Sequence, residues 1–161
     1  MNAAVELDYQ IEPACSRESY MPDEQEVNTW LQCVLEQVHC DTPAQFSVYI
    51  VSEQEITALN SQYRHKNRAT NVLSFPYQAL PGVDVPLLGD IVICADVVNK
   101  EALEQDKSAE QHWAHMIVHG ALHLLGYDHM DDQDAQQMET MEIRILSQLG
   151  FSNPYGELNT P

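Results

Sequence analysis

His119-Gly120-Ala121-Leu122-His123-Leu124-Leu125-Gly126-Tyr127-Asp128-His129 places three histidines at the spacing H-x-x-x-H-x-x-x-x-x-H, with a glycine where a helix would have to turn. Residues four apart on an α-helix lie one turn, roughly 6 Å, from each other on nearly one face, so His119 and His123 can aim nitrogens at a single ion. Gly126 suits the left-handed residue that ends such a helix and lets Tyr127 and Asp128 bring His129 back as a third ligand. Neutral imidazole favours zinc among the common cellular metals, and three protein ligands leave one coordination position for water or substrate. Any single one of the chain's seven histidines reads as an ordinary surface residue; three in this arrangement form a metal-site pattern. His112 and His115 continue the same helical stripe toward the helix start. They lie too far along the axis to join the coordination sphere easily and are expected to line the groove, support the ligands or face solvent.

The spacing also matches that of zinc peptidases with the signature H-E-x-x-H-x-x-G-x-x-H. In those enzymes the glutamate beside the first histidine is the general base that activates water for attack on an amide. Here that position is Gly120. Without a proton acceptor in its usual place, peptide hydrolysis is the weakest of the metal-dependent readings.

Composition bounds the rest. A chain of 161 residues with 44% hydrophobic content can bury one proper core, with little room for a second domain. The N-terminal stretch carries Glu6, Asp8 and Glu12 with no apolar run, and no later segment approaches a membrane span, so a cytoplasmic protein is expected. Cys15, Cys33, Cys40 and Cys94 are scattered with no C-x-x-C pair, which fits reduced structural thiols. Cys33 and Cys40, seven apart, are expected to share one buried helix face.

A formal net charge of -18 opposes indiscriminate binding to phosphate backbones. Of only seven basic residues, however, Arg64, Lys66 and Arg68 fall within Arg64-His65-Lys66-Asn67-Arg68-Ala69-Thr70-Asn71. Such a cluster is usually a solvated turn. Beside a metal site it becomes a local phosphate-binding spot on an otherwise repulsive surface.

The hydrophobic periodicity predicts strands over Ala4–Ile11, Phe46–Val51, Thr70–Phe75 and Leu88–Ile93. Helices are expected from Pro22 to about Val38, after Ser52 with Ile56, Leu59 and Tyr63 as the apolar stripe, and from about Ala95 to Gln105. Two more run from about Ser108 to Leu125 and from about Gln133 to Leu149. Pro81, Gly82 and Pro86 mark a loop, and the tail 151–161 is expected to fray. Four strands interleaved with five helices make a single small α+β layer domain spanning 1–161.

The histidine segment, taken together with Leu59-Asn60 through Tyr63-Arg64, then Thr70-Asn71-Val72-Leu73-Ser74-Phe75-Pro76 and Leu88-Gly89-Asp90-Ile91, resembles the bacterial YbeY family of metal-dependent endoribonucleases and rRNA maturation factors. The match runs in order from about Phe46 to Gly150. The resemblance implies a zincin-like fold with a mixed four-stranded sheet and one zinc ion held by His119, His123 and His129. It also implies processing of the 3′ end of small-subunit (16S) ribosomal RNA and ribosome quality control. By position Arg64 corresponds to the family's essential arginine, and His119 is both ligand and catalytic-site residue. The family strand often reads T-D-V-L-S-F-P, whereas this chain has Asn71, which weakens any role for that position as a base.

On this reading Arg64 stabilises charge on a phosphate of single-stranded RNA, and Asp128 is read as a partner orienting an imidazole or, less readily, as a base. Water and the substrate's own 2′-hydroxyl both stay open as nucleophile. The acidic surface points to recruitment by a ribosomal protein or a GTPase. A non-cleaving ribosome assembly factor with a structural zinc is the alternative from another class, and a metallopeptidase the third.

Overall fold

The computed structural model describes residues 4–15, 20–40, 42–77, 87–128 and 130–155. In chain order the elements are β1 (Val5–Ile11), α1 (Glu24–Gln37), β2 (Ala44–Val51), α2 (Glu53–Arg64), β3 (Val72–Pro76), β4 (Leu87–Cys94), α3 (Ala95–Glu104), α4 (Ala109–Leu124) and α5 (Asp132–Gln148). Each strand and helix read from periodicity is present, within about two residues of its expected ends. The Pro81, Gly82, Pro86 loop lies outside the described residues.

The four strands form one mixed sheet in the order β1-β2-β4-β3, with β1, β2 and β4 parallel and β3 antiparallel at the edge beside β4. Strand side chains alternate between faces, and the sequence uses both. Phe46, Val48, Ile50, Ile91 and Ile93 form one apolar face, joined in a single core with Val27, Leu31 and Val34 of α1 and Trp113, Ile117 and Ala121 of α4. Val51, Val92, Cys94 and Leu73 face the other way and pack with Ile56 of α2. Among the described residues the result is an α+β fold with five helices around a four-stranded sheet.

α4 is the central helix. Eleven of its residues are buried, from His112 to Leu124, an all-round pattern that marks a helix inside the core rather than on its surface. It contacts β3, β4, α1, α3 and α5. Gly120 brings it close to the sheet, where a Cβ would stand 3.1 Å from both Ile91 Cγ2 and Ser74 Oγ. The buried indole of Trp113 donates to Asn99 Oδ1 at 2.7 Å, so its one polar atom is satisfied.

Residues 151–155, expected to fray, are tied down onto α4 and its approach. Phe151 packs against the core, Gln111 Nε2 donates to Ser152 Oγ at 2.8 Å, and Lys107 Nζ donates to the Pro154 carbonyl at 3.0 Å. Residues 156–161 lie outside the described set. The expected sharing of a helix face by Cys33 and Cys40 is corrected: α1 ends at Gln37, and His39 turns the chain in the left-handed region (φ 57°) before Cys40. All four cysteines are free thiols. Among the described residues no helix is long and apolar enough to cross a membrane.

Candidate metal centre

The helix that carries the first two histidines is closed at both ends by its own sequence. Ser108 caps the start, its hydroxyl accepting from Gln111 N at 3.1 Å. At the other end Gly126 takes φ 100°, its N–H donating to the His123 carbonyl at 3.1 Å while Tyr127 N donates to Leu122 O at 3.0 Å. That pair of bonds is the Schellman arrangement. It turns the chain back at the point where the sequence reading required a turn.

His119 and His123 come together as the four-residue spacing demands, with their Nε2 atoms 3.1 Å apart. Two imidazole donors on tetrahedral zinc, each at about 2.0–2.1 Å, stand about 3.3–3.4 Å from one another. The pair therefore fits one shared ion with a shift of a few tenths of an ångström. His129 lies outside the described residues, and among those described no three His, Cys, Asp or Glu side chains are placed to hold a metal ion.

Beneath the pair sits a carboxylate that the sequence reading missed. Glu142 of α5 is 0% exposed, and its Oε2 lies 2.7 Å from His119 Nδ1 and 3.4 Å from His115 Nε2. The Tyr155 hydroxyl donates to its other oxygen, Oε1. Burial alone would raise the Glu142 carboxyl, but hydrogen bonding and charge from His115 and His119 outweigh it and hold it down at about 2. With the proton of His119 on Nδ1, where Glu142 accepts it, the lone pair is left on Nε2, toward His123. Asp128, read from sequence as an orienting carboxylate, is exposed, and a second carboxylate, Glu142 of α5, pairs with His119. A signal was present in the sequence, for Met138, Glu142, Ile145 and Leu146 share the buried stripe of α5, and a glutamate in a core stripe calls for a partner.

His112 and His115 are buried, at 2% and 7% exposure, which excludes the solvated option. His112 Nε2 pairs with Glu101 Oε1 at 3.0 Å, and Glu101 also accepts from Asn71 Nδ2 at 3.1 Å. Asn71 thus acts as a donor to a carboxylate and receives Val72 N on its own oxygen at 2.7 Å. His115 is part of the Glu142 network, its Nε2 lying 3.3 Å from the Tyr155 hydroxyl.

Arg64 is the last residue of α2 and exposed, and it makes no ion pair among the described residues. The basic turn that follows is pinned from inside: buried Asn60 donates to the Arg68 carbonyl at 2.9 Å, while Lys66 and Arg68 stay exposed. Two consecutive residues of β3 tie this turn to the histidine helix. Phe75 meets Tyr63, the neighbour of Arg64, edge to face at 5.2 Å between ring centroids, and Ser74 donates to the Gly120 carbonyl at 3.1 Å.

A cleft of about 380 Å³ opens beside His119, lined by Ala135, Met138, Glu139, Glu142 and Tyr155. A larger groove of about 630 Å³ lies away from the histidines along the α2 face of the sheet, bordered by Tyr49, Leu59, Tyr63, Phe75 and Asp90. Burial raises the Asp90 carboxyl there, against a hydrogen bond from Ser47. Of the two, the smaller cleft is the one lined by a predicted metal ligand, His119.

Comparison with known proteins agrees with this fold. The solution structure of TM1509 from Thermotoga maritima superposes with a TM-score of 0.59 at 26% sequence identity, covering 89% of this chain and 88% of that one. The family model described as endoribonuclease YbeY matches residues 14–150. With the match spanning most of the 161 residues, the chain belongs to the YbeY family of endoribonucleases, hydrolases that act on RNA.

Proposed function

We propose that this protein is a zinc-dependent endoribonuclease that cuts single-stranded RNA in ribosomal RNA processing, at the 3′ end of the 16S species, and in ribosome quality control in the cytoplasm. The observation that carries the metal part is the 3.1 Å approach of His119 Nε2 to His123 Nε2 above a buried carboxylate. His119, His123 and His129 would hold one ion. Zinc bound there supplies Lewis acidity toward a phosphoryl oxygen. Arg64, free of any ion pair among the described residues, would grip two phosphate oxygens with its planar fork and offset charge as it builds on the phosphate. The concentration of Arg64, Lys66 and Arg68 on a chain of net charge -18 makes RNA contact local, so a ribosomal protein or a GTPase is the proposed recruiter.

The fit of Gly120 against the sheet disfavours a peptidase. This chain has no side chain where peptidases keep their base, and one added there would start in tight contact with Ile91 and Ser74. Elemental analysis of the purified protein, paired with digestion of a ribosomal RNA fragment with and without chelator, tests the proposal. Zinc near one equivalent with chelator-sensitive cleavage is expected. Intact RNA bound tightly by the zinc-loaded protein would instead favour an assembly factor whose metal serves the fold.

A further inference from the structure

We propose that Glu142 is the positioning residue for His119, and that Tyr155, delivered by the C-terminal segment, holds Glu142 in place, so that the tail tunes metal affinity. The inference rests on the metal reading of His119 above.

The carboxylate is fully buried and each of its oxygens is engaged. Oε2 faces His119 Nδ1 at 2.7 Å and His115 Nε2 at 3.4 Å, and Oε1 accepts the Tyr155 hydroxyl. A buried carboxylate held on both oxygens cannot swing, so it fixes the plane of the His119 ring and keeps the Nδ1 proton away from the face that meets His123. Rotation of that ring by a fraction of a turn would carry Nε2 away from His123. Tyr155 reaches this position because the tail is anchored twice upstream of it, at Ser152 by Gln111 and at Pro154 by Lys107. The ring of Tyr155 also packs edge-on to His115, with centroids 5.4 Å apart. Residues from α4 and the tail thus converge on one buried carboxylate of α5, which backs the ring of a metal-ligand histidine, an arrangement that apolar packing does not require.

The full-length metal-free protein, titrated with zinc against a chromophoric chelator, tests this with Glu142→Gln, which keeps the shape and removes the charge, and Tyr155→Phe. Glu142→Gln is expected to weaken zinc binding about 10- to 100-fold, the usual effect of losing an outer carboxylate partner. Tyr155→Phe is expected to weaken it about fivefold, the net worth of one hydrogen bond. A purely structural role would lower the unfolding midpoint of the metal-free protein and leave zinc affinity at the wild-type value in both variants, which overturns the inference. Should Glu142→Gln fail to fold, Tyr155→Phe decides alone by the same criterion. A wild-type protein that takes up no zinc would remove the metal reading itself, a result distinct from variants that bind as tightly as wild type.

Discussion

His119 Nδ1 lies 2.7 Å from Glu142 Oε2, joining α4 to α5 through the nitrogen opposite the one that faces His123. Removing the imidazole therefore does two things. His119→Ala is expected to abolish RNA cleavage and also to leave Glu142 short of one donor in a site with 0% exposure, a loss of about 1–3 kcal/mol. His115 and Tyr155 still bond the carboxylate, so the variant stays folded. Urea unfolding of the metal-free protein, run beside a cleavage assay, checks both halves.

Arg64 is expected to behave differently because it is exposed and carries no ion pair among the described residues. Arg64→Ala should change the unfolding free energy by no more than about 0.5 kcal/mol and leave zinc uptake intact, yet reduce cleavage about 100- to 1000-fold. Arg64→Lys should recover little, since a point charge cannot grip two oxygens in a plane. Retention of full cleavage by Arg64→Ala would remove the residue from the account.

Installing the peptidase glutamate should fail. Gly120→Glu forces a side chain against Ile91 and Ser74, where even a Cβ stands at 3.1 Å, and is expected to destabilise by about 1–3 kcal/mol without giving casein hydrolysis. A stable variant that digests casein would contradict the packing described for α4.

Acid should weaken the fold through His112. Burial lowers its ring below the ordinary histidine value, against the pull of Glu101. The unfolded chain then takes up a proton near pH 6.5 that the native protein refuses. Stability from this group is complete above pH 6.5 and falls as pH drops from there toward the lowered native value. The urea midpoint should decline across this window in the wild type and decline less in His112→Leu; equal slopes would show that His112 does not contribute.

Periodicity carried most of the architecture because four of the five described helices are capped by a neighbouring side chain. Asp23, Ser52 and Ser108 cap helices from within their own sequence, and Gly126 marks the turn after His123. The histidine pair was legible for the same reason, a spacing of four on one helix. Glu142 and Tyr155 were not, because their meeting with His119 depends on how α5 and the tail cross α4, and such contacts between distant segments leave only the faint trace of a glutamate in an apolar stripe. Nor does sequence show that the Asn71 amide serves Glu101 and the start of β3. The docking of residues 151–155 was equally hidden, since it rests on Gln111 and Lys107 reaching from outside the tail.

X-ray absorption at the zinc edge of the metal-loaded protein tests the central claim most directly. The account predicts three imidazole nitrogens at about 2.0–2.1 Å with one further oxygen, reduced in number when His119 or His123 is replaced. Sulfur neighbours at about 2.3 Å, which would point to the cysteines, or a spectrum unchanged by those replacements, would contradict it.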